Sequence, residues 1–133
     1  MKVLSLLEPW ASLIAEKVKY IETRSWKTKY RGELYIHASK KKLTKNNLHE
    51  YDEQLSLLKN TNFRYGCIIA KCTLVDCKVM TDELIEEVQK NRNEYICGDY
   101  KVGRYAWILK DIEALQVPIA AKGRLGIWTY QEK

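Results

Sequence analysis

The stretch KYIETRSWKTKYRGELYIH, residues 19–37, contains two predicted strands and the densest group of charged and aromatic side chains in the chain. Residues 19–24 predict a short strand, and residues 32–38 (GELYIHA) alternate well enough to predict another. Side chains two residues apart on a strand project from the same face, so Glu22 and Arg24 face the same way. This stretch therefore indicates a strand-rich fold in which the acidic Glu22 and the basic Arg24 are neighbours on one face of a strand.

Upstream of this stretch the sequence predicts one strand and one short helix. Lys2 to Leu7 reads as the strand. Pro9 suits the first turn of the helix, because its missing N–H would have no helical partner there. The apolar face of that helix carries Trp10, Leu13 and Ile14.

Downstream, residues 43–59 (LTKNNLHEYDEQLSLLK) carry apolar side chains at steps of three and four, which predicts an amphipathic helix resting on the core. Its apolar residues are Leu48, Tyr51, Leu55 and Leu58. The run GCIIAKCTLVDCKVM, residues 66–80, is rich in β-branched residues and is long enough for a bent or bulged strand.

The last third of the chain predicts strands at residues 104–115 and 126–130, separated by VPIAAKG and preceded by a wide connection at residues 92–103. The whole order gives about five to six strands and two to three flanking helices, without regular β-α-β alternation. That pattern favours a mixed α+β barrel over a Rossmann-like sheet. We therefore expect residues 1–133 to form a single domain.

The composition is ordinary for a folded soluble protein, with 46% hydrophobic and 30% charged residues. No apolar run is long enough to predict a transmembrane helix. The apolar N-terminal stretch is interrupted by Glu8 and Pro9, which argues against a signal peptide. We therefore expect a cytoplasmic protein without a membrane partner.

The net charge of +6 is unevenly distributed. Residues 16–45 contain ten basic and three acidic residues, so this segment carries +7 and the rest of the chain sums to −1. A local basic excess attracts polyanions such as nucleic acids. A solvated lysine-rich surface has the same composition, so the charge pattern alone leaves both interpretations open.

The cysteines and histidines lack the spacing of a metal site or a redox motif. Cys67, Cys72 and Cys77 lie five apart on one predicted strand and alternate between its faces; with the fourth cysteine they are expected to be buried free thiols. His37 is expected to be a hydrogen-bonded structural residue, and His49 to face solvent. No phosphate-binding or dinucleotide motif is present, so we expect neither a metal nor a cofactor.

Two interpretations of the Glu22–Arg24 pair stay open from the residues alone. At a surface, such a pair is a structural ion pair worth about 0–1 kcal/mol. In a cleft, the planar guanidinium can instead bind a phosphate or a base edge. Trp26, Tyr30 and Arg31 favour the second interpretation, because aromatic faces interleaved with cations stack unpaired bases. Core packing of either aromatic residue, taken singly, fits the sequence equally well.

Several blocks of the chain follow a known pattern. They are LSLLEPWASLI, KVKYIETRSW and YRGELYIHASK near the start, and GRYAWIL and KGRLGIW near the end. Together they resemble the ASCH (activating signal cointegrator homology) domain family. Its pattern G-x-K-x-x-E-x-R is met by Lys19, Glu22 and Arg24. Lys17 stands where the pattern has a glycine, which suits a left-handed helix end, so we expect an altered turn into the strand.

The resemblance implies a PUA-like mixed β-barrel with a cleft beside the helix that follows the first strand. Similar domains are associated with RNA or DNA binding, transcription coactivation and RNA processing. The resemblance therefore implies RNA or another nucleic acid as the partner, with a nucleotide or a modified base in the cleft. The candidate binding residues are Lys19, Glu22, Arg24, Trp10, Ser12, Trp26, Tyr30 and Arg31.

Two other functions remain as alternatives. One bacterial branch of the family hydrolyses acetylcytidine with a Lys and a Thr nucleophile from this motif plus a Glu elsewhere, and Glu22 occupies the position of that Thr. A small hydrolase acting on a modified nucleoside would use Glu22 as general base, with Lys19 or Arg24 stabilising oxyanion charge. The other alternative is a protein-interaction module of the coactivator type.

Overall fold

A computed structural model describes residues 1–132. In this range the chain forms six strands and five short helices. The strands are β1 (Lys2–Leu6), β2 (Ile21–Arg24), β3 (Gly32–Ala38), β4 (Cys67–Val79), β5 (Tyr105–Ala120) and β6 (Ile127–Thr129). The helices are α1 (Trp10–Ala15), α2 (Lys45–Glu50), α3 (Asp52–Leu55), α4 (Asp82–Gln89) and α5 (Arg92–Ile96). None of these helices is long and apolar enough to cross a membrane.

The six strands form one mixed sheet in the order β2-β5-β4-β3-β1-β6. β1 pairs with β3 in parallel, and every other neighbouring pair is antiparallel. The sheet curls into a half-barrel, and β2 and β6 form its two edges in the described part of the chain. The predicted mixed α+β, PUA-like architecture is therefore confirmed.

Bulges accompany the curl of the sheet. The register between β4 and β5 shifts at three places, and the register between β3 and β4 shifts between Ile36 and His37. A bulge leaves one residue unopposed, bends the strand and increases its local twist. The prediction of a bent or bulged strand over residues 66–80 is therefore confirmed.

The main core lies between α1 and the sheet. Ala11 and Ile14 of α1 are fully buried in one cluster with Leu34 and Ile36 of β3 and Trp107 of β5. Removing such side chains from water is the dominant favourable contribution to folding. Because α1 is fixed on the sheet in this way, the segment that leaves its C-terminus enters β2 at a defined place.

Residues 43–59 form two short helices where the sequence predicts one. Thr44 caps α2 through a capping box, and the chain turns at Tyr51 before α3 begins. Because the six residues of α2 include a single apolar side chain, this helix buries none of its residues. Leu48 is 48% exposed, so its predicted contact with the core is wrong, whereas Leu58 is buried as predicted.

Two predictions for the last third of the chain are also wrong. β5 continues to Ala120 through the segment that was expected to separate two strands. Beyond Lys110 it pairs only with β4 among the described residues. A proline costs no sheet hydrogen bond at an unpaired edge, so Pro118 does not end the strand. The expected connection at residues 92–103 begins with α5, whose N-terminus is capped by the Asn91 side chain.

Candidate functional site

The segment that enters the site begins with a left-handed turn at the end of α1. Lys17 has a φ of 63°, which costs a non-glycine residue roughly 1–2 kcal/mol. Its N–H donates to the Ile14 carbonyl at 2.9 Å, and the Val18 N–H donates to the Leu13 carbonyl at 3.0 Å. These are the two hydrogen bonds of a Schellman motif. The expectation of an altered turn is wrong, because these bonds and the apolar packing of Val18 hold the lysine in the conformation of the glycine.

The Lys19 side chain is buried beneath the site, with 1% of the residue exposed. Its ammonium donates to the carbonyl oxygens of Ile21 and Cys97, both at 2.6 Å, and lies 3.5 Å from Glu22 Oε1. Two of the three N–H donors of Lys19 are therefore used by carbonyl oxygens, and the ammonium also forms an ion pair with Glu22. Lys19 therefore joins the start of β2 to the end of α5.

A second buried carboxylate, Glu94 of α5, holds the same segment. Its Oε1 accepts the Tyr20 N–H at 2.7 Å, and its Oε2 accepts the Ile21 N–H at 3.3 Å. Burial raises the pKa of Glu94, whereas the Tyr20 hydrogen bond and the positive charge of Lys19 oppose this rise. Sequence reasoning missed Glu94. The signal that could have found it is the spacing of Asn91 and Glu94, which is typical of a helix N-terminus.

Glu22 and Arg24 form an ion pair on β2, as one of the two interpretations predicted. Arg24 Nε donates to Glu22 Oε2 at 2.8 Å, and Glu22 Oε1 accepts the Thr23 N–H at 3.2 Å. Arg24 Nη2 donates to the Ser5 carbonyl of β1 at 3.1 Å. A guanidinium has five N–H donors, and in residues 1–132 the Nη1 end of Arg24 has no acceptor. Arg24 is therefore fixed by the protein and still able to donate to a ligand.

Two adjoining cavities, with volumes of about 360 and 340 Å³, lie around this ion pair, and we call them together the cleft. Both are lined by Trp10, Glu22, Thr23 and Arg104. The first also contacts Arg24, Ser25 and Trp26, and the second contacts Lys19, Gln54 and Asp99. These volumes lie in the range of sites for small ligands.

Arg104 is a cation of the cleft that sequence reasoning missed. Its Nε donates to the Asp99 carbonyl at 3.0 Å and lies 3.6 Å from Asp99 Oδ2. The loop that carries Asp99 is tied to β2, because the Asp99 N–H donates to Thr23 Oγ1 at 3.0 Å. A Cβ at Gly98 would lie 2.9 Å from the Thr23 side chain and 2.6 Å from that of Tyr100, so this close approach requires glycine. The signal for Arg104 was its place in the block GRYAWIL.

Two tryptophan side chains line the cleft, as the resemblance implied. Trp26 is 38% exposed and packs edge-to-face on the buried Trp107, with ring centroids 4.8 Å apart. The Trp107 indole N–H also donates to the Trp26 carbonyl at 3.3 Å. Trp10 packs edge-to-face on Tyr51 at 5.1 Å. Both rings are held at defined angles and each borders the cavity.

Three of the candidate residues lie outside the cleft. Ser12 donates to the buried carboxylate of Glu8, with its hydroxyl 2.6 Å from Oε2, and borders a separate cavity. The Tyr30 hydroxyl donates to the Glu33 carbonyl. Arg31 donates to the carbonyl oxygens of Thr28 and Tyr30 and pairs with Asp76 at 3.5 Å. The structure therefore brings together Lys19, Glu22, Arg24, Trp10 and Trp26, and leaves the other three apart.

The cysteines are free thiols in the structure. Cys72 and Cys97 are buried, whereas Cys67 and Cys77 are partly buried. Burial raises the pKa of Cys72 to about 12, so this thiol is protonated at neutral pH. Among residues 1–132, no group of three His, Cys, Asp or Glu side chains is placed to hold a metal ion.

Residues 4–119 match the ASCH domain. The chain belongs to the ASCH domain family. It is also similar to Activating signal cointegrator 1 of Homo sapiens and of Mus musculus, each 27% identical over 139 aligned residues. The alignment covers 98% of this chain and 22% of each relative, so this ASCH domain spans about a fifth of the length of the relatives it matches.

Proposed function

We propose that this ASCH domain binds RNA or another nucleic acid by holding one unpaired nucleotide, with a plain or a modified base, in the cleft. The observation that carries the proposal is the position of Arg24. Its Nε and Nη2 are fixed by Glu22 and Ser5, and its Nη1 end is unpaired within the described residues. A guanidinium fixed in this way offers a planar pair of donors to a base edge or a phosphate.

The walls of the cleft also suit a base. An unpaired base needs an aromatic face for stacking and donors for its polar edge. Trp26 and Trp10 supply indole rings, and Arg24 and Arg104 supply donors. Stacking of a base on an aromatic side chain is worth about 1–3 kcal/mol. We therefore assign the tryptophans to the base and the arginines to its polar edge or to the adjoining phosphate.

The segment 16–45, whose residues 22–26 line the cleft, carries the basic excess of the chain. Lys27, Lys29, Lys40, Lys41 and Lys42 are all exposed, so their charges are available to a polyanion. Neutralising phosphates releases condensed counterions, which makes binding dependent on salt. This supports a partner with a phosphate backbone over an uncharged ligand.

The arrangement supports binding more than hydrolysis. A hydrolase would need Lys19 or a neighbouring cation to meet developing negative charge and Glu22 to reach a water molecule. Two donors of Lys19 are used by carbonyl oxygens, and its charge is paired with Glu22. Glu22 is paired with Arg24 and lies against Lys19. We therefore assign Lys19 and Glu22 to positioning Arg24 and β2.

The proposal predicts that binding of a short single-stranded RNA depends on Trp26 and Arg24. Trp26→Ala should weaken binding by about 1–3 kcal/mol because it removes a stacking face. Arg24→Lys should also weaken it, because a lysine keeps the charge and loses the planar fork. Fluorescence anisotropy with a labelled RNA measures both effects.

Tyr20→Ala is the matched control for these variants, because Tyr20 is 42% exposed and does not line the cleft. It should bind as the wild type does. Equal affinity for the wild type, Trp26→Ala and Arg24→Lys would exclude the cleft as the binding site. If the domain instead acts through a protein partner, as the name of the relatives would suggest, the wild type should not bind the RNA at all.

A further inference from the structure

A further cavity, with a volume of about 390 Å³, is also lined by Arg24. We call it the basic pocket. Its lining includes Arg24, Lys40, Lys122 and Arg124, together with backbone of the loop between β5 and β6. No carboxylate lines it within the described residues. The basic pocket is therefore a concave surface lined by four cations.

The cations of the basic pocket differ from those of the cleft in their partners. Lys19, Arg24 and Arg104 of the cleft each lie within 4 Å of a carboxylate oxygen. Among residues 1–132, Lys122, Arg124 and Lys40 are exposed and form no ion pair. Unpaired positive charges that converge on a cavity favour an anionic ligand, because each one can exchange hydration for a charge-assisted hydrogen bond.

The loop that carries two of these cations is anchored by His37. His37 Nε2 lies 2.8 Å from the Ala121 carbonyl, and its Nδ1 lies 3.0 Å from Ser5 Oγ. A carbonyl oxygen only accepts, so in a neutral imidazole Nε2 carries the proton and Nδ1 accepts from the Ser5 hydroxyl. Ser5 Oγ in turn accepts the Trp128 indole N–H at 3.0 Å. His37 is therefore the structural residue that the sequence predicted.

Gly123 completes this anchor. A Cβ at position 123 would lie 2.8 Å from His37 Cε1 and 3.0 Å from Ser5 Oγ. The backbone of the loop therefore packs directly on the Ser5–His37 pair, and this leaves no space for a substrate atom at that point. The pair acts as a support for the loop, and Lys122 and Arg124 on either side of Gly123 are held at the rim of the pocket.

The basic pocket and the cleft share a wall. Both are lined by Ser5, Leu6, Leu7 and Arg24. A ligand that places a flat ring against Trp26 and continues past Arg24 therefore reaches the cations of the basic pocket. A nucleotide has this composition, since its base is flat and its phosphate is anionic.

We infer that the basic pocket binds a phosphate of the nucleotide whose base occupies the cleft. The ligand of this domain is then a phosphorylated nucleotide, within RNA or free, and not a nucleoside. This inference rests on the proposed function, because it uses the base in the cleft to place the phosphate. Arg24 contacts both parts of the ligand, whereas Lys122 and Arg124 contact the phosphate alone.

The test compares a double variant, Lys122→Ala with Arg124→Ala, with a control that loses the same charge elsewhere. Lys59→Ala with Lys110→Ala serves as the control, because both lysines are exposed and neither lines the cleft or the basic pocket. All four side chains are at the surface, so the variants are expected to fold. The probe is a short single-stranded RNA, measured by fluorescence anisotropy at about 50 and 200 mM salt.

Loss of the cations that neutralise this one phosphate should lower the slope of log affinity against log salt by about 0.7. Between these salt concentrations the wild type should then lose about 2.6-fold more affinity than the double variant. The control should keep the wild-type slope. Equal slopes and affinities for the wild type and the double variant would overturn the inference.

Competition of small molecules with the same RNA shows whether the domain recognises a phosphate. It also shows whether that phosphate belongs to a free nucleotide or to the polymer. A nucleoside 5′-monophosphate should compete better than the matching nucleoside with the wild type, and this advantage should disappear in the double variant. A monophosphate that binds as tightly as the RNA identifies a free nucleotide as the ligand. A monophosphate that binds more weakly than the RNA identifies the polymer as the ligand. Both results support the inference.

If the nucleoside and the monophosphate competed equally well, the inference that the basic pocket binds a phosphate would be overturned. The proposed function would survive that result if Trp26→Ala still weakened RNA binding. If the wild type bound neither RNA, nucleoside nor monophosphate, both the inference and the proposed function would be overturned. Inorganic phosphate alone serves as a further probe, and it should compete with RNA in the wild type more than in the double variant.

Discussion

The cleft and the basic pocket use positive charge in opposite ways. Lys19 in the cleft is buried and has exchanged its hydration for two carbonyl oxygens and a carboxylate. Lys122 and Arg124 at the basic pocket are exposed and form no ion pair within residues 1–132. Removing a buried, paired cation leaves its partners unsatisfied, whereas an exposed cation remains available to a ligand. Lys19 therefore stabilises the structure of the site, whereas Lys122 and Arg124 are available to bind its ligand.

Arg24 belongs to both regions. One part of its guanidinium is fixed by Glu22 and Ser5, and the Nη1 end has no acceptor among the described residues. The fixed part defines the direction of the free donors. This explains the spacing of Lys19, Glu22 and Arg24 in the motif. Lys19 and Glu22 hold the short strand β2 in place, so that Arg24 lies between the cleft and the basic pocket.

The largest expected effect comes from removing the buried cation. Lys19→Met should lower the free energy of unfolding by about 3–5 kcal/mol, because it leaves a buried carboxylate and buried carbonyl oxygens without their donor. Lys122→Met should change it by less than about 0.5 kcal/mol, since that side chain is exposed. Urea denaturation of both variants measures the difference. Similar losses of stability in the two variants would contradict the distinction between the cleft and the basic pocket.

A smaller effect is expected at the turn that leads to Lys19. Lys17 has a φ of 63°, so Lys17→Gly should stabilise the domain by up to about 1 kcal/mol through relief of backbone strain. The affinity for RNA should change far less than in Arg24→Lys, because Lys17 lines neither the cleft nor the basic pocket. Thermal unfolding and anisotropy measure the two quantities. A destabilised Lys17→Gly variant would show that the lysine side chain, and not its backbone, matters at this turn.

The parts of the site that follow local rules could be predicted from the sequence. Strand alternation alone puts Glu22 and Arg24 on one face, and the structure shows them as an ion pair. The bounds of β3 agree with the alternating pattern of residues 32–38. Short-range spacing carries this information because neighbours along a strand have a fixed geometry.

The remaining parts depend on contacts between segments that are far apart in the chain. The Lys19 ammonium meets a carbonyl oxygen 78 residues later, and Glu94 binds amides of residues 20 and 21. Lys122 and Arg124 line one cavity with Arg24 because Arg24 reaches the Ser5 carbonyl of β1, and β1 pairs with β6. No local pattern encodes such neighbours. The order of the strands determines them, and that order is set by the packing of the whole core.

The absence of Ser12, Tyr30 and Arg31 from the cleft has a local cause. Each of these side chains has a partner within a few residues: Ser12 binds Glu8, Tyr30 binds the Glu33 carbonyl, and Arg31 binds two nearby carbonyls. Proximity to the motif in sequence did not reveal these local hydrogen bonds, which direct the side chains away from the cleft.

The most direct test of the central claim is an NMR titration of the wild-type domain with a short single-stranded RNA. We expect the indole N–H signal of Trp26, the side-chain Nε–H signal of Arg24 and the amide signals of Gly123 and Gly126 to shift together with one affinity. The amide signals of α4 should stay in place. Shifts confined to α4, or the absence of shifts at Trp26 and Arg24, would contradict a nucleotide bound across the cleft and the basic pocket.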